Sequence, residues 1–504
     1  MNKSLNLYPH NLEAYDQVKQ AYESGQRIVS AIRATGTGKS FISLQLALDN
    51  PGKKIIYLVP NLSIIEHLKE IINENPNVTL EDFSHVEFRT YQSLVYMKDE
   101  EIENLSCDLL ITDELQHLNG PAWDEQVLKL IKSHPMMNVF GTTAYTVVNR
   151  GTSYERDMVL EGGEEIFSDS VVNRYDLCDA IADGVLPKPI YKGVYTNLLS
   201  KLEDIEETLS NTNLTSEESR EYQLILDDLK RRIHEAPTTA DLLKKNLKPD
   251  GKYFYFCPTS SQEGVNDIET IKKQVLESLK GKYKEEDIVF YTTTSEMGEE
   301  GKKNRDAFYH DKTLDGVDCS NKLRIMFAIN QYNEGVHAPN VDGVIEGRMT
   351  NSDIVYGEHL GRALAVRGDT TKKHRELEQY SLEELAKMCQ ERDIPVKDTS
   401  SKEELIEKLL APVIIDLTGN YQFIKELEDN LTNRLRKPST RHNETYQRRQ
   451  ITDASFDIEM ENIDIFNVLM EAKERLNASW DRMYKYARLY HDHHGHLEVP
   501  ASFK

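Results

Sequence analysis

Hydrophobic residues along this chain fall into short runs, separated by longer stretches in which apolar positions recur every three or four residues. "RIVSAI" (27–32), "KIIYLVP" (54–60), "DLLITDE" (108–114) and "NVFGTTA" (138–144) have strand length and β-branched content. The stretches between them, such as "FISLQLALD", carry helical spacing. Strand followed by helix, repeated, predicts a parallel sheet covered on both faces. The alternation returns in "KYFYFCPTS" (252–260), "DIVFYTT" (287–293), "LRIMFAI" (323–329), "GVIEG" (343–347) and "PVIIDLTGN" (412–420). An α/β protein with two parallel-sheet domains in tandem is therefore expected.

Between the two series, residues 197–247 are highly charged. Leu202, Ile205 and Leu209 form one apolar stripe, and Tyr222, Ile225, Leu229 and Ile233 another, with Thr215 and Glu218 spaced as a capping box before it. A helical hairpin fits this pattern; a solvated spacer is the plainer reading. Residues 380–410 predict two further short amphipathic helices. Ser381 with Glu384 and Ser401 with Glu404 have capping-box spacing, and Leu382, Leu385, Leu405 and Leu409 are expected to face one small core. The expected boundaries are 1–190 for the first α/β domain and 191–247 for the hairpin connector. The second α/β domain would span 248–445 with a helical insert at 373–411, and a helical C-terminal extension 446–504.

Composition narrows what such a molecule can be. With 504 residues, 39% hydrophobic and 29% charged, the chain can bury several separate cores. A formal net charge of -24 excludes a general coat of positive charge, so any nucleic-acid surface must be a local groove. The five cysteines, Cys107, Cys178, Cys257, Cys319 and Cys389, include no CxxC pair, which argues for reduced structural thiols over a disulfide frame or zinc site. The run "HDHHGH" (491–496) has no second cluster to complete a metal site and reads as a turn. No stretch approaches a membrane span, and "MNKSLNLYPHNLEAY" lacks the layout of a signal peptide, so no membrane partner and a cytoplasmic location are expected.

Chemistry concentrates in two motifs. In "ATGTGKS" (34–40), Thr35, Gly36, Thr37 and Gly38 form a loop between a strand and a helix. Its glycines let consecutive N–H groups point inward at an anion, where the helix dipole also favours one. Lys39 would reach the β- and γ-phosphates of a nucleotide, and the Ser40 hydroxyl would hold Mg²⁺. In "LLITDELQH" (109–117), Asp113 and Glu114 end a strand at the edge where open α/β sheets bind ligands. Asp113 would hold the magnesium, and Glu114 would orient and deprotonate an attacking water. ATP and Mg²⁺ are the cofactors this pairing implies.

With these residues in place, the chain resembles the superfamily 2 DEAD/DEAH-type helicases and translocases, whose fold is a pair of RecA-like domains. "LYPHNLEAYDQV" is similar to the opening segment that reads adenine, with Asn11 where that family usually has Gln. "ATGTGKS", "YLVPNLSIIEH", "FRTYQSL", "DELQH" and "GTTAYT" follow in the order of motifs I, Ia, the DNA-contact segment, II and III. "YFYFCPTS", "INQYNEGVHAPNVDGVI" and "YGEHLGRALAVRGD" resemble motifs IV, V and VI. "RDM" (156–158) and "AIADGVLPKPIYKGVY" (180–195) are similar to a bacterial, type I restriction-like branch. The resemblance implies that Gln116, at the position that names the DEAH group, couples hydrolysis to the second domain, and that Arg362 senses the γ-phosphate. Ala365 stands where an arginine finger is expected, with Arg367 two residues on. Thr90, Gln92, Thr143 and Asn333 are implied to contact nucleic acid, and Gly335 to lie at the nucleotide. The insert resembles a SAP-type helix-extended-helix module, and Trp480, Tyr484, Tyr490, Gly495 and Val499-Pro500 resemble the start of a helicase-associated repeat. The implied activity is ATP hydrolysis driving movement along DNA, more than RNA. The alternative is a nucleic-acid-stimulated ATPase that remodels or signals to a protein complex without strand separation. No nuclease constellation is visible, so any such activity would come from a protein partner.

Overall fold

The computed structural model describes residues 3–498 apart from 116–120, 145–158, 161–163, 166–169, 211–215, 259–267, 295–296, 330–337, 339, 351–352, 365–375, 392–393, 395, 397–399 and 436–454. Two fully parallel sheets organise the rest. The first contains β1 (Ile28–Arg33), β2 (Ile55–Val59), β3 (Val86–Thr90), β4 (Leu109–Thr112), β5 (Asn138–Thr143) and β8 (Val171–Tyr175), in the order β3-β2-β4-β5-β1-β8. A two-residue hairpin, β6 (Val159–Leu160) with β7 (Glu164–Glu165), stands apart. β2 and β4 are buried along their whole length, as strands covered on both faces require.

The second sheet contains β9 (Ile190–Gly193), β10 (Lys252–Phe256), β11 (Ile288–Thr294), β12 (Leu323–Ile329), β13 (Gly343–Glu346), β14 (Val413–Asp416) and β15 (Asp457–Met460). Their order is β11-β12-β10-β13-β14-β9-β15, again all parallel. The α/β class with two parallel sheets is thus the observed fold. Position 190, expected to close the first domain, begins a strand of the second sheet.

The charged section 197–247 folds into helices Leu198–Ser210, Ser216–Glu235 and Thr239–Asn246. The first two are no free spacer. Leu202, Ile205, Leu226 and Leu229 form one core with Leu469 and Leu476 of the long C-terminal helix Ile463–His494. Tyr195 stacks on Phe466 with ring centroids 3.9 Å apart, and Asn462 brackets the same residue, accepting from Tyr195 N at 2.9 Å and donating to Tyr195 O at 2.9 Å. The capping box expected at Thr215 lies outside the described residues.

In the insert, helices Leu382–Glu391 and Lys402–Leu410 form as expected, with Ser381 and Glu384 hydrogen-bonded in both directions across the first turn. Of its four expected core residues, one is absent. Leu382 is 48% exposed, while Cys389 and Ile406 join Leu385, Leu405 and Leu409. These side chains merge with the core of the second sheet, so the insert is not a separate body. Where "HDHHGH" was expected to form a turn before the glycine, residues 491–494 continue the C-terminal helix, and Gly495, at φ 73°, ends it in the left-handed region. Among the described residues no cluster of His, Cys, Asp and Glu is arranged to hold a metal, and no helix is long and apolar enough to cross a membrane.

Candidate active site

The loop after β1 and the residues after β4 emerge at the same edge of the first sheet, with β5 between the two strands. Gly36 and Gly38 both adopt φ 83°, a conformation L side chains resist, and Gly38 caps the helix Lys39–Leu48. Thr37 pins the turn, its hydroxyl donating to Ala34 O at 2.7 Å. Ser40 follows Lys39 in the first turn of that helix and is half-buried.

Lys39 is buried and its ammonium donates to both Glu114 carboxylate oxygens, at 3.1 and 3.2 Å. Glu114 itself sits at φ 56°, a left-handed conformation that a non-glycine residue holds at a cost of roughly 1–3 kcal/mol. Beside it, Asp113 accepts from the Thr142 hydroxyl at 2.6 Å and from Glu114 N at 3.1 Å, and its backbone carbonyl accepts from the Tyr91 hydroxyl at 2.7 Å. Burial, and then the neighbouring Glu114 charge, push the Asp113 carboxyl up to about 6, against the pull of Lys39. Two buried carboxylates sharing one lysine leave a deficit of positive charge. The donor set, the Asp113 carboxylate and the Ser40 hydroxyl, offers the hard oxygen ligands that Mg²⁺ prefers.

The second half of the chain reaches this site through helix Asp353–Leu364. A methyl group at Gly361 would fall 2.6 Å from Thr35 Cβ, so only glycine allows this approach to the loop. Arg362, next in the chain, is 3% exposed, and its charge acts on His67 of helix Leu62–Glu74. Burial holds the His67 ring below its ordinary value, and the Arg362 charge lowers it further against the opposing pull of Glu70. Lys302 of helix Gly298–Tyr309 pairs with Glu66 at 2.9 Å, a second link between the halves.

Asn11 is fully buried beneath the loop. Its Oδ1 accepts from Arg33 Nη2 at 2.9 Å, while Arg33 Nη1 donates to Asn173 Oδ1 at 2.6 Å. Arg33 also lies 4.8 Å over the Tyr175 ring, which continues through His10 to Tyr8 in a near-parallel series. His10 Nε2 donates to Thr37 O at 3.0 Å and ties this series to the loop.

The structure therefore brings together Asn11, Thr35, Gly36, Thr37, Gly38, Lys39, Ser40, Asp113, Glu114 and Arg362. Thr143 is buried at the end of β5, one residue beyond the Thr142 that holds Asp113. Thr90 caps the short helix Tyr91–Val95, its hydroxyl accepting from Ser93 N at 3.2 Å, and Gln92 accepts from the Trp123 indole at 3.2 Å. Gln116, Asn333, Gly335, Ala365 and Arg367 lie outside the described residues. Sequence reading missed Thr142, Tyr91, Arg33 and Asn173. Only Arg33 carried a signal, a lone charge closing the apolar run of β1.

Residues 4–145 match the family model described as Type III restriction enzyme, res subunit. No curated protein matches the chain. An HsdR subunit fragment of a type I restriction enzyme from Vibrio vulnificus YJ016 aligns with 17% identity and a TM-score of 0.45, over 82% of this chain and 65% of that one. The Type ISP restriction-modification enzyme LlaBIII, solved bound to DNA, aligns with 15% identity and a TM-score of 0.46, over 85% of this chain and 34% of that one. S. cerevisiae Dbp5, solved with RNA and ADP BeF3, aligns with 12% identity and a TM-score of 0.44, over 94% of this chain and 100% of that one. The chain thus spans less than two thirds of the length of both restriction proteins. The matched residues 4–145 are the segment that supplies the glycine loop, Lys39, Asp113 and Glu114, and it is this segment that is similar to the Type III restriction enzyme res subunit.

Proposed function

We propose that this chain is an ATP hydrolase of the superfamily 2 helicase and translocase kind, which uses its two parallel-sheet halves to move along DNA. The observation that carries this reading is the buried constellation of Lys39, Glu114, Asp113 and Thr142 at the glycine loop, closed from the other half by the Gly361–Arg362 turn of one helix. Lys39 and Glu114 are paired with each other. A γ-phosphate draws Lys39 to itself, and the released Glu114 carboxylate becomes free to take the proton of an attacking water. Asp113, fixed by Thr142, and Ser40 would hold Mg²⁺, which supplies charge neutralisation on the phosphates when bound. Arg362 answers to the γ-phosphate from the second half, so its presence or loss favours closed or open halves. The restriction-enzyme description of the matched family favours DNA as the track.

The net charge of -24 and the helical body built from residues 198–235 and 463–494 support a second reading, an ATPase that signals to a protein complex. Steady-state ATP turnover with no polymer, single-stranded DNA, double-stranded DNA and single-stranded RNA separates the two, with Lys39→Ala as the blank. Stimulation by DNA that weakens with salt supports the motor. A rate indifferent to every polymer supports the second reading, and wild-type turnover in the blank removes both.

A further inference from the structure

Every nucleotide offers the loop the same phosphates, but selection for adenine needs a protein group at the base edge. Asn11 is the residue the sequence offers for that task, and its geometry denies it. The side chain has no accessible surface. Its carbonyl oxygen is engaged by Arg33, which also fixes the orientation of the amide. The remaining donor, Nδ2, has no hydrogen-bond partner, and it lies 2.6 Å from where a Gly38 side chain would begin. The unpaired N–H thus faces the backbone of the phosphate loop. Behind it the other amides are committed to one another, with Asn173 accepting from Arg33 and donating to Gln17 at 2.7 Å.

What lies open beside the loop is a ring. Tyr8 is 56% exposed and ends the near-parallel series of His10, Tyr175 and Arg33, with planes 6° and 14° apart along it. An aromatic face accepts any base, because each has a π-surface of its own.

Resting on the nucleotide-hydrolase reading above, we infer that Asn11 supports the phosphate loop from behind instead of reading the base, so that the site takes nucleoside triphosphates with little discrimination between bases. Base contact comes from stacking on Tyr8, and Asn11 responds to the shape of the loop, which is common to all nucleotides. Arg33 and Asn173 act through Asn11 as positioning residues.

The test is competition binding of ADP, GDP, CDP and UDP to the full chain, read by displacement of a fluorescent nucleotide, with hydrolysis of the four triphosphates measured separately. The expected result is affinities within about tenfold of one another, since selection by a buried hydrogen-bonding edge is missing. A preference for ADP beyond about a hundredfold overturns the inference. Asn11→Ala is expected to weaken all four nucleotides by a common factor, whereas no loss, or a loss confined to ADP, overturns it. Tyr8→Ala is expected to weaken all four, and unchanged binding there removes the stacking surface. The wild-type profile needs no variant, so misfolding of Asn11→Ala does not shelter the inference. Even binding without hydrolysis would sink the hydrolase reading alone, while hydrolysis of ATP only would sink this inference alone.

Discussion

Glu114 combines three features at one residue: a left-handed backbone, a buried carboxylate and a lysine partner. Glu114→Gln removes the charge that pairs with Lys39, so nucleotide binding should tighten several-fold while turnover falls by about 10²–10⁴, the contribution of a positioned base. Equilibrium binding and steady-state rates on the same preparation check both signs, and weaker binding would refute the Lys39 competition. Gly361→Ala should push its helix away from Thr35 and cost up to about a hundredfold in turnover, as small misplacements at a reacting centre do. Thermal melting of that variant should barely change, because the clash is relieved by separating the two halves. At this scale the sequence was legible where identity and spacing carry the chemistry, as with Lys39, Asp113 and Glu114. Thr142 and Asn173 were not, because they matter only through strand order. Thr142 reaches Asp113 because β5 lies beside β4, and Asn173 reaches Arg33 because β8 lies beside β1.

All nine apolar runs became strands, since a strand buried on both faces is written as a continuous hydrophobic run. β15, "DIEM", escaped that reading because it is half-exposed and polar at alternate positions. The same limit hid the partner of the helical hairpin, whose apolar stripes were plain but whose complement lies more than two hundred residues away in the C-terminal helix. Leu382 misled for a related reason: it begins its helix, and the inward face starts one turn later at Leu385. Asn462→Ala should unfasten the C-terminal helix from Tyr195, at about 1–3 kcal/mol for the stranded backbone groups. Amide exchange should then quicken across 457–494 and leave β1 to β5 unchanged. Leu229→Ala, which opens a cavity in the same three-helix core, should cost about 2–5 kcal/mol.

For the whole molecule, β15 is held at the sheet margin by charge as well as by its ladder. Glu459 pairs with Lys192, and with Lys245 at 2.6 Å, while Lys245 also reaches Glu461 at 3.1 Å. Burial pushes the Glu459 carboxyl up, but the hydrogen bonds from Lys192 and Lys245 prevail and hold it down at about 2. A carboxyl lowered on folding stabilises fully above its unfolded value, and that contribution drains away as pH falls through the folded one. Detachment of β15 should therefore grow as pH drops from the ordinary carboxylate range toward about 2. Amide exchange at 457–460 reads this directly, and Glu459→Gln should flatten the acid limb.

The threading of β9 also has a consequence for how the protein is made. β9 is synthesised at residues 190–193 yet finds its neighbours only in β14 at 413–416 and β15 at 457–460. The first sheet needs nothing beyond Tyr175, so it can close while the remainder is still being translated. Contacts so distant along the chain form slowly and leave strand edges open meanwhile. Ribosome-bound chains stalled near residue 350 should resist protease through the first sheet and yield at β9, and protection there should arrive only once residue 460 has cleared the exit tunnel.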